Sequence, residues 1–288
     1  MTATTAFVED AAPPRAGPLK RLARRPAAMV GLCVVGFFVL IALLAPWVAP
    51  YEPTATSWAL IRKAPSAVHW MGTDELGRDV LSRVIWGARA SLEAGVLSVV
   101  IALALGVPLG LVAGYVGGWT DGLISRFTDA LLACPFLILA IALAAFLGPS
   151  LMNAMIAIGV AATPLFIRLT RGQVLAVKTE DFVEAARAVG NPHRRILLRH
   201  ILPNVVSPLI VQATLTIANA VIAEASLSFL GLGQQPPAPS WGSMLNFAKN
   251  FISQAPWMAV WPGLAICLIV LAFNLLGDGL RDVLDPRA

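Results

Sequence analysis

Residues 91–116 read SLEAGVLSVVIALALGVPLGLVAGYV, with Glu93 as the one charged side chain. As a helix this stretch is about 39 Å long, enough to cross a hydrocarbon core of about 30 Å. Ala94, Ser98, Ala102, Gly106, Gly110 and Gly114 recur every fourth residue. That spacing lays small residues along one face, where a second helix can approach closely. The stretch therefore predicts a membrane-spanning helix with Gly106, Gly110 and Gly114 at a packing seam. It sets the fold class as an all-α membrane bundle.

Five further apolar runs extend the pattern, at 27–49, 123–147, 151–170, 205–229 and 257–277. With 91–116 they make six expected spans. Composition agrees, since 58% of the chain is hydrophobic and 13% charged, too little charge to cover a soluble domain. The run at 27–49, with Pro46, Pro50 and Pro53 read as its end, is longer than the apolar core of about 7–15 residues in a signal peptide. Between the spans lie a polar stretch at 51–90, short links at 117–122 and 148–150, a basic amphipathic segment at 171–204, and a Gly- and Pro-rich loop reaching Pro256. Residues 1–26 form a polar tail expected to lack structure, and 281–288 a short C-terminal segment.

Lys and Arg placement sets the expected orientation. Arg15, Lys20, Arg21, Arg24 and Arg25 precede the first run, and 171–204 carries Arg171, Lys178, Arg187, Arg194, Arg195 and Arg199. Both termini and that segment are therefore expected in the cytoplasm. The 51–90 stretch argues against this, carrying Arg62, Lys63, Arg78, Arg83 and Arg89 on the expected outer side. With basic flanks read as topology signals, the net charge of +5 gives no reason to expect nucleic acid. The expected surroundings are membrane lipid.

Cys33, Cys134 and Cys267 are widely spaced within apolar runs and read as small hydrophobes. His69, His193 and His200 fall in polar segments and are expected to be solvated, so no metal site and no catalytic residue is expected. Glu93 and Arg168 read as span ends, and Asp129 as a local partner of Arg126 one turn away. Glu224, high on the fifth span, fits either a possible translocation path or the interface.

The segment 179–204 is the most informative polar stretch. Thr179 is a candidate cap, with Glu180 and Asp181 near the positive end of a helix. Gly190 supplies a left-handed stop, and Asn191-Pro192 opens a second helix. Pro203 begins the fifth span. Two short helices at a bend would present Ala185, Ala186 and Ala188 as a small-residue patch. Such a patch suits docking into a groove, although an ordinary basic loop reads the same way.

Glu184-Ala185-Ala186, with Gly190 four residues after Ala186 and Leu202-Pro203 beyond it, resembles the EAA motif of permease subunits of binding-protein-dependent ABC importers. His200 stands where that family often has Ile. Residues 69–83 (HWMGTDELGRDVLSR), 224–233 (EASLSFLGLG), 239–242 (PSWG) and 273–287 (FNLLGDGLRDVLDPR) are similar to the C-type permeases of dipeptide, oligopeptide and nickel importers. The resemblance implies a six-span permease fold in a bacterial cytoplasmic membrane. It implies a homologous B-type permease, two ABC ATPase subunits, and a periplasmic or lipid-anchored solute-binding protein as partners. Glu184, Ala185, Ala186, Arg187, Gly190, Leu202 and Pro203 would form the coupling segment against an ATPase. ATP and Mg would sit on the partners, as the chain has no phosphate loop ending in Gly-Lys-Ser or Gly-Lys-Thr. Di- or oligopeptides are the leading cargo, with nickel, glutathione or another small solute as alternatives. A self-sufficient secondary transporter is the rival class, and a membrane-embedded hydrolase a further one. Residues 73–79 read as internal ion pairs of an outer loop or as a contact for the binding protein.

Overall fold

The computed structural model describes residues 18–284. The tail as far as residue 17, with Arg15, and the terminal Asp285-Pro286-Arg287 lie outside the described residues.

The part of the tail that is described is folded. Helix α1 (Pro18–Ala23) packs Leu22 with Ala28 and Val283 in a small apolar cluster, and Arg25 pairs with Asp282 at 3.4 Å. Helix α2 (Pro26–Val48) runs through Pro46. A proline here costs one hydrogen bond close to the helix end rather than stopping the helix. Its outward positions Val30, Phe37, Leu40 and Leu43 are exposed and apolar, as a face against lipid requires.

Helix α3 (Val80–Val116) begins at Val80 rather than Ser91 and has 37 residues, about 55 Å at the standard rise. Asp79 starts it, its carboxylate accepting from Ser82 N at 2.8 Å. Arg83 and Arg89 interrupt the apolar run without interrupting the helix. Arg83 is buried, its guanidinium 3.3 Å from Asp74 and donating to Pro53 O at 2.9 Å. Glu93 accordingly falls inside α3, not at its end.

The expected straight span at 123–147 is broken. Helices α4 (Gly118–Leu132) and α5 (Phe136–Leu147) meet at 91°. Pro135 has no N–H to continue the ladder, and a residue before proline is pushed out of helical geometry. Helix α4 leans on α6 (Leu151–Val177) through two ion pairs. Arg171 grips Asp121 with two N–H groups, one at 2.8 Å, and Arg168 meets Asp129 at 2.6 Å. Asp129 therefore pairs with Arg168 across helices rather than with Arg126. Moving eight residues along α4 moves the partner only three along α6, so α4 lies across the end of α6 and α5 runs beside it.

The seam between α3 and α6 is the most extensive helix contact. A Cβ on Gly106 would stand 2.6 Å from Phe166 Cβ, one on Gly110 2.6 Å from Thr170 Cβ, and one on Gly114 2.7 Å from Val174 Cβ. Gly159 answers from α6, with Ile101 and Ser98 against it.

Helix α7 (Asp181–Ala188) follows. Helix α8 (His193–Arg195) then passes through a π-helical stretch, Ile196–Ile201, into α9 (Leu202–Phe229). The loop after α9 is not wholly irregular. Ser240 and Ser243 form a reciprocal capping box that starts α10 (Trp241–Ala248). Helix α11 (Trp257–Leu284) closes the bundle against α2 and α9.

Candidate functional site

The elbow between α6 and α9 is held by contacts to the end of α3 and within its own turns. Lys178 Nζ donates to Gly114 O at 2.9 Å, satisfying a terminal carbonyl of α3 with a cation at the negative helix end. Thr179 does not cap α7. Its hydroxyl donates back to Ala176 O at 2.9 Å, and Glu180 holds the cap position. Asp181 and Glu184 lie in the first turn of α7, the favourable end for acids.

Gly190 adopts φ 78°, the left-handed conformation that costs an L side chain energy. Its N–H donates to Arg187 O at 2.9 Å. Asn191 donates twice to Ala186 O, from its backbone N–H at 3.2 Å and from Nδ2 at 3.1 Å, so the last turn of α7 is closed. The Arg187 guanidinium lies 5.7 Å from the centre of the Tyr115 ring, and the Tyr115 hydroxyl is 2.7 Å from His193 Nδ1. These contacts tie the elbow to the end of α3.

Helix α7 has two different edges. Val183 and Ala186 are buried in one apolar cluster with Ile196, Ile201 and Val205. Phe182 and Ala185, with Val189 just past the helix end, form a second edge about 100° round from the first, with Phe182 43% and Val189 83% exposed. Glu184, Ala185, Arg187 and Ala188 are exposed and Ala186 is not. The expected alanine patch is thus split, with Ala186 supporting the elbow from inside. Val189 and Phe182 went unnoticed in the sequence, although their register with Ala185 is the helical one. Leu202 is half-buried and Pro203 exposed. Pro203 has no N–H to give, and the looser π-helical turn before it absorbs that loss, Leu202 N–H reaching back to Leu197 O. The chain therefore passes from α8 into α9 as one continuous helical path.

At the other end of α9, Glu224 is fully buried. Ser91 donates to one carboxylate oxygen at 3.0 Å and Ser228 to the other at 2.6 Å. The carboxyl joins α3 to α9 and is enclosed by the chain rather than facing an open passage.

The cap formed by the 51–83 stretch is knit by buried charge. Arg78 Nε donates to Asp74 at 2.6 Å, and its other arm reaches Glu75. Burial, and the neighbouring Asp74 carboxylate, push the Glu75 carboxyl above its ordinary range. His69 is buried rather than solvated, its Nδ1 2.9 Å from Asp79 Oδ1. Trp257 donates from its indole to Thr73 O at 3.1 Å, pinning this cap to α11, and Trp241 donates to Val84 O at 3.0 Å, tying α10 to the start of α3. The 73–79 ion pairs are thus internal to the cap. Among the described residues no group of three His, Cys, Asp or Glu is placed to hold a metal ion.

Comparison with known proteins places this geometry. The family of binding-protein-dependent transport system inner membrane components matches residues 106–288, and the N-terminal transmembrane domain of oligopeptide transport permease C matches 18–65. A dipeptide transport system permease protein of Alkalihalophilus pseudofirmus is 48% identical, covering 93% of this chain and 88% of that protein. A glutathione transport system permease protein of Shigella flexneri is 51% identical, covering 93% and 89%. An inward-facing methionine ABC transporter structure shares the fold at a TM-score of 0.57, with 23% identity, over 70% of this chain and 96% of that one. The chain belongs to the inner membrane components of binding-protein-dependent transport systems, in the group that carries the oligopeptide permease C N-terminal domain.

Proposed function

We propose that this chain is the translocating subunit of an ATP-driven peptide importer, and that the α7 elbow is where an ATPase docks and drives it. The observation that carries this reading is the exposed apolar edge of Phe182, Ala185 and Val189 on an elbow continuous with α9. An apolar knob standing out of a basic segment needs a cover, and an ATPase groove would supply one. Glu184, Gly190, Leu202 and Pro203 set the shape of the elbow, and Arg187 anchors it. ATP, Mg and hydrolysis belong to two partner ATPase subunits. A homologous B-type permease completes the passage, and a solute-binding protein delivers cargo from outside.

The elbow and both termini lie in the cytoplasm on this reading. The outer bases that oppose it are weakened as topology signals, because Arg78 and Arg83 are buried in ion pairs with Asp74 and Glu75. Peptide cargo is supported by relatives that carry the names of dipeptide and glutathione permeases. Glu224 serves as an interior tie between α3 and α9.

Uptake of labelled Ala–Ala and of labelled glutathione in cells with and without this chain tests the cargo. Loss of either on deletion, restored by complementation, is expected. Unchanged uptake of both, with loss of nickel or another small solute instead, would overturn the peptide assignment.

A further inference from the structure

The cap carries a loop whose polarity is inverted. A surface loop is ordinarily rich in polar residues. Residues 64–70 read APSAVHW, and the one titratable side chain among them, His69, is buried. The apolar side chains stand outside instead, with Val68 64% and Trp70 70% exposed. The carbonyls at the tip are paired within the cap. Ala67 O accepts from the Trp70 indole at 3.2 Å, and Val68 O from the Tyr51 hydroxyl at 3.1 Å. His69 O accepts from the N–H groups of Ser66 and Gly72, both at 2.9 Å, and the Ser66 hydroxyl accepts from His69 N at 3.1 Å. Water would satisfy such groups without help. An apolar medium would not, and each backbone group left unpaired there is costly.

The loop lies at the end of a face already turned to lipid. On α2 the exposed residues Leu40, Leu43, Leu44 and Trp47 fall at i, i+3, i+4 and i+7, which is one stripe of a helix. Helix α2 has 23 residues, about 35 Å, so Trp47 stands near the edge of a hydrocarbon core of about 30 Å. Tyr51 comes three residues after the helix end at Val48, and its ring centre is 4.8 Å from that of His69. Three extended residues reach about 11 Å at most, so the base of the loop sits beside the headgroup layer. Trp and Tyr favour that level, where the ring meets acyl chains and its polar tip stays wet. Beneath the loop, His69 Nδ1 meets Asp79, which starts α3, and Tyr51 N–H donates to Ser82 Oγ at 3.1 Å. The loop is thus tied to the beginning of α3, the opposite end of that helix from Gly114 and the elbow.

We propose that loop 64–70, with Trp47 and Tyr51, anchors the cap in the lipid interface of the leaflet opposite the elbow, Val68 and Trp70 resting between headgroups and acyl chains. Continuity with the lipid-facing stripe of α2 assigns the surface to lipid over a protein partner. The occupant is phospholipid in general, since no exposed charge in the loop selects one headgroup. Through Asp79 and Ser82 the anchor sets the height of the start of α3 in the bilayer. The inference is independent of the cargo.

The test uses the tagged full chain with the partners it retains, in nanodiscs of phosphatidylethanolamine and phosphatidylglycerol. In a background of Cys33→Ser, Cys134→Ser and Cys267→Ser, a nitroxide is attached at Val68→Cys. Leu40→Cys on the α2 stripe and Thr56→Cys in an exposed polar part of the cap are the references. The readout is the ratio of collisions with oxygen, which concentrates among acyl chains, to collisions with anionic chromium oxalate, which is kept out of them. That ratio at Val68→Cys should exceed the Thr56→Cys ratio at least about threefold, in the direction of Leu40→Cys. Should the Val68 label unsettle the loop, the neighbouring exposed position, Ala67→Cys, carries the same comparison. A ratio no higher than that of Thr56→Cys would put the loop in water and overturn the anchor. Low collision with both reagents would overturn it too, by marking a protein contact, as would shielding that arises only when a solute-binding protein is added.

Discussion

Replacing Gly190 separates backbone conformation from space. A Cβ at this position would have nothing within 4 Å, so a larger side chain meets no neighbour. The whole cost comes from φ 78°, which an L residue occupies at about 1–2 kcal/mol. That is roughly a 5–30-fold shift against the present elbow, and more for a β-branched residue. Gly190→Val should therefore weaken the apparent affinity of the purified ATP-binding subunits for the permease pair in nanodiscs by up to roughly this factor. Gly190→Asn is the discriminating variant. Asn is also larger than glycine, yet it visits the left-handed region readily, so its affinity should stay within about threefold of the parent. Equal weakening by Asn and Val would refute the conformational argument and point to surface contact at Gly190. No weakening by Val would remove the elbow geometry from ATPase docking.

Other outcomes follow from the packing and the polar ties. Gly110→Ile should lower thermal stability in detergent by at least about 1–3 kcal/mol, because Thr170 and Ile167 leave no room, whereas Gly36→Ala, with nothing within 4 Å, should be silent. Glu224→Gln should keep uptake within about twofold, since Gln can still bond hydroxyls, and Glu224→Leu should cost about 1–3 kcal/mol by stranding the Ser91 and Ser228 hydroxyls; thermal unfolding alongside uptake checks both. Arg83→Met should cost about 1–3 kcal/mol, because Asp74 loses its longer ion pair and Pro53 O its donor while the Arg78 pair remains, and protease sensitivity of the 51–83 cap would report it.

The apolar runs that mark the bundle were legible because a bilayer imposes a length and a polarity on the sequence. The α3 seam was legible because close packing demands small residues at helical spacing. What stayed hidden depended on contacts between distant residues. The start of α3 at Val80 was masked by Arg83, whose partners Pro53 and Asp74 lie in a separate loop. His69 read as solvated because its partner, Asp79, comes ten residues later. The break at Pro135 was written in the sequence but lay between Ala130 and Leu147, where every other side chain is apolar. Asp129 was assigned to the near Arg126, while the fold brings Arg168 to it. At the elbow, the left-handed turn at Gly190 could be read locally. Which alanine faces inward could not, because Ile196 and Ile201 decide that from the next element.

The central claim, that the exposed edge of α7 docks an ATPase, is most directly tested by purifying the tagged chain from native membranes in mild detergent. The partners should include a second permease and ATP-binding subunits. Ala185→Trp should release the ATP-binding subunits and keep the second permease, since Ala185 is exposed and Ala186 supports the elbow from within. Recovery of the chain by itself, in a preparation that holds other complexes together, would contradict the multi-subunit account, and undiminished ATP-binding subunits on the Ala185→Trp chain would contradict the docking edge.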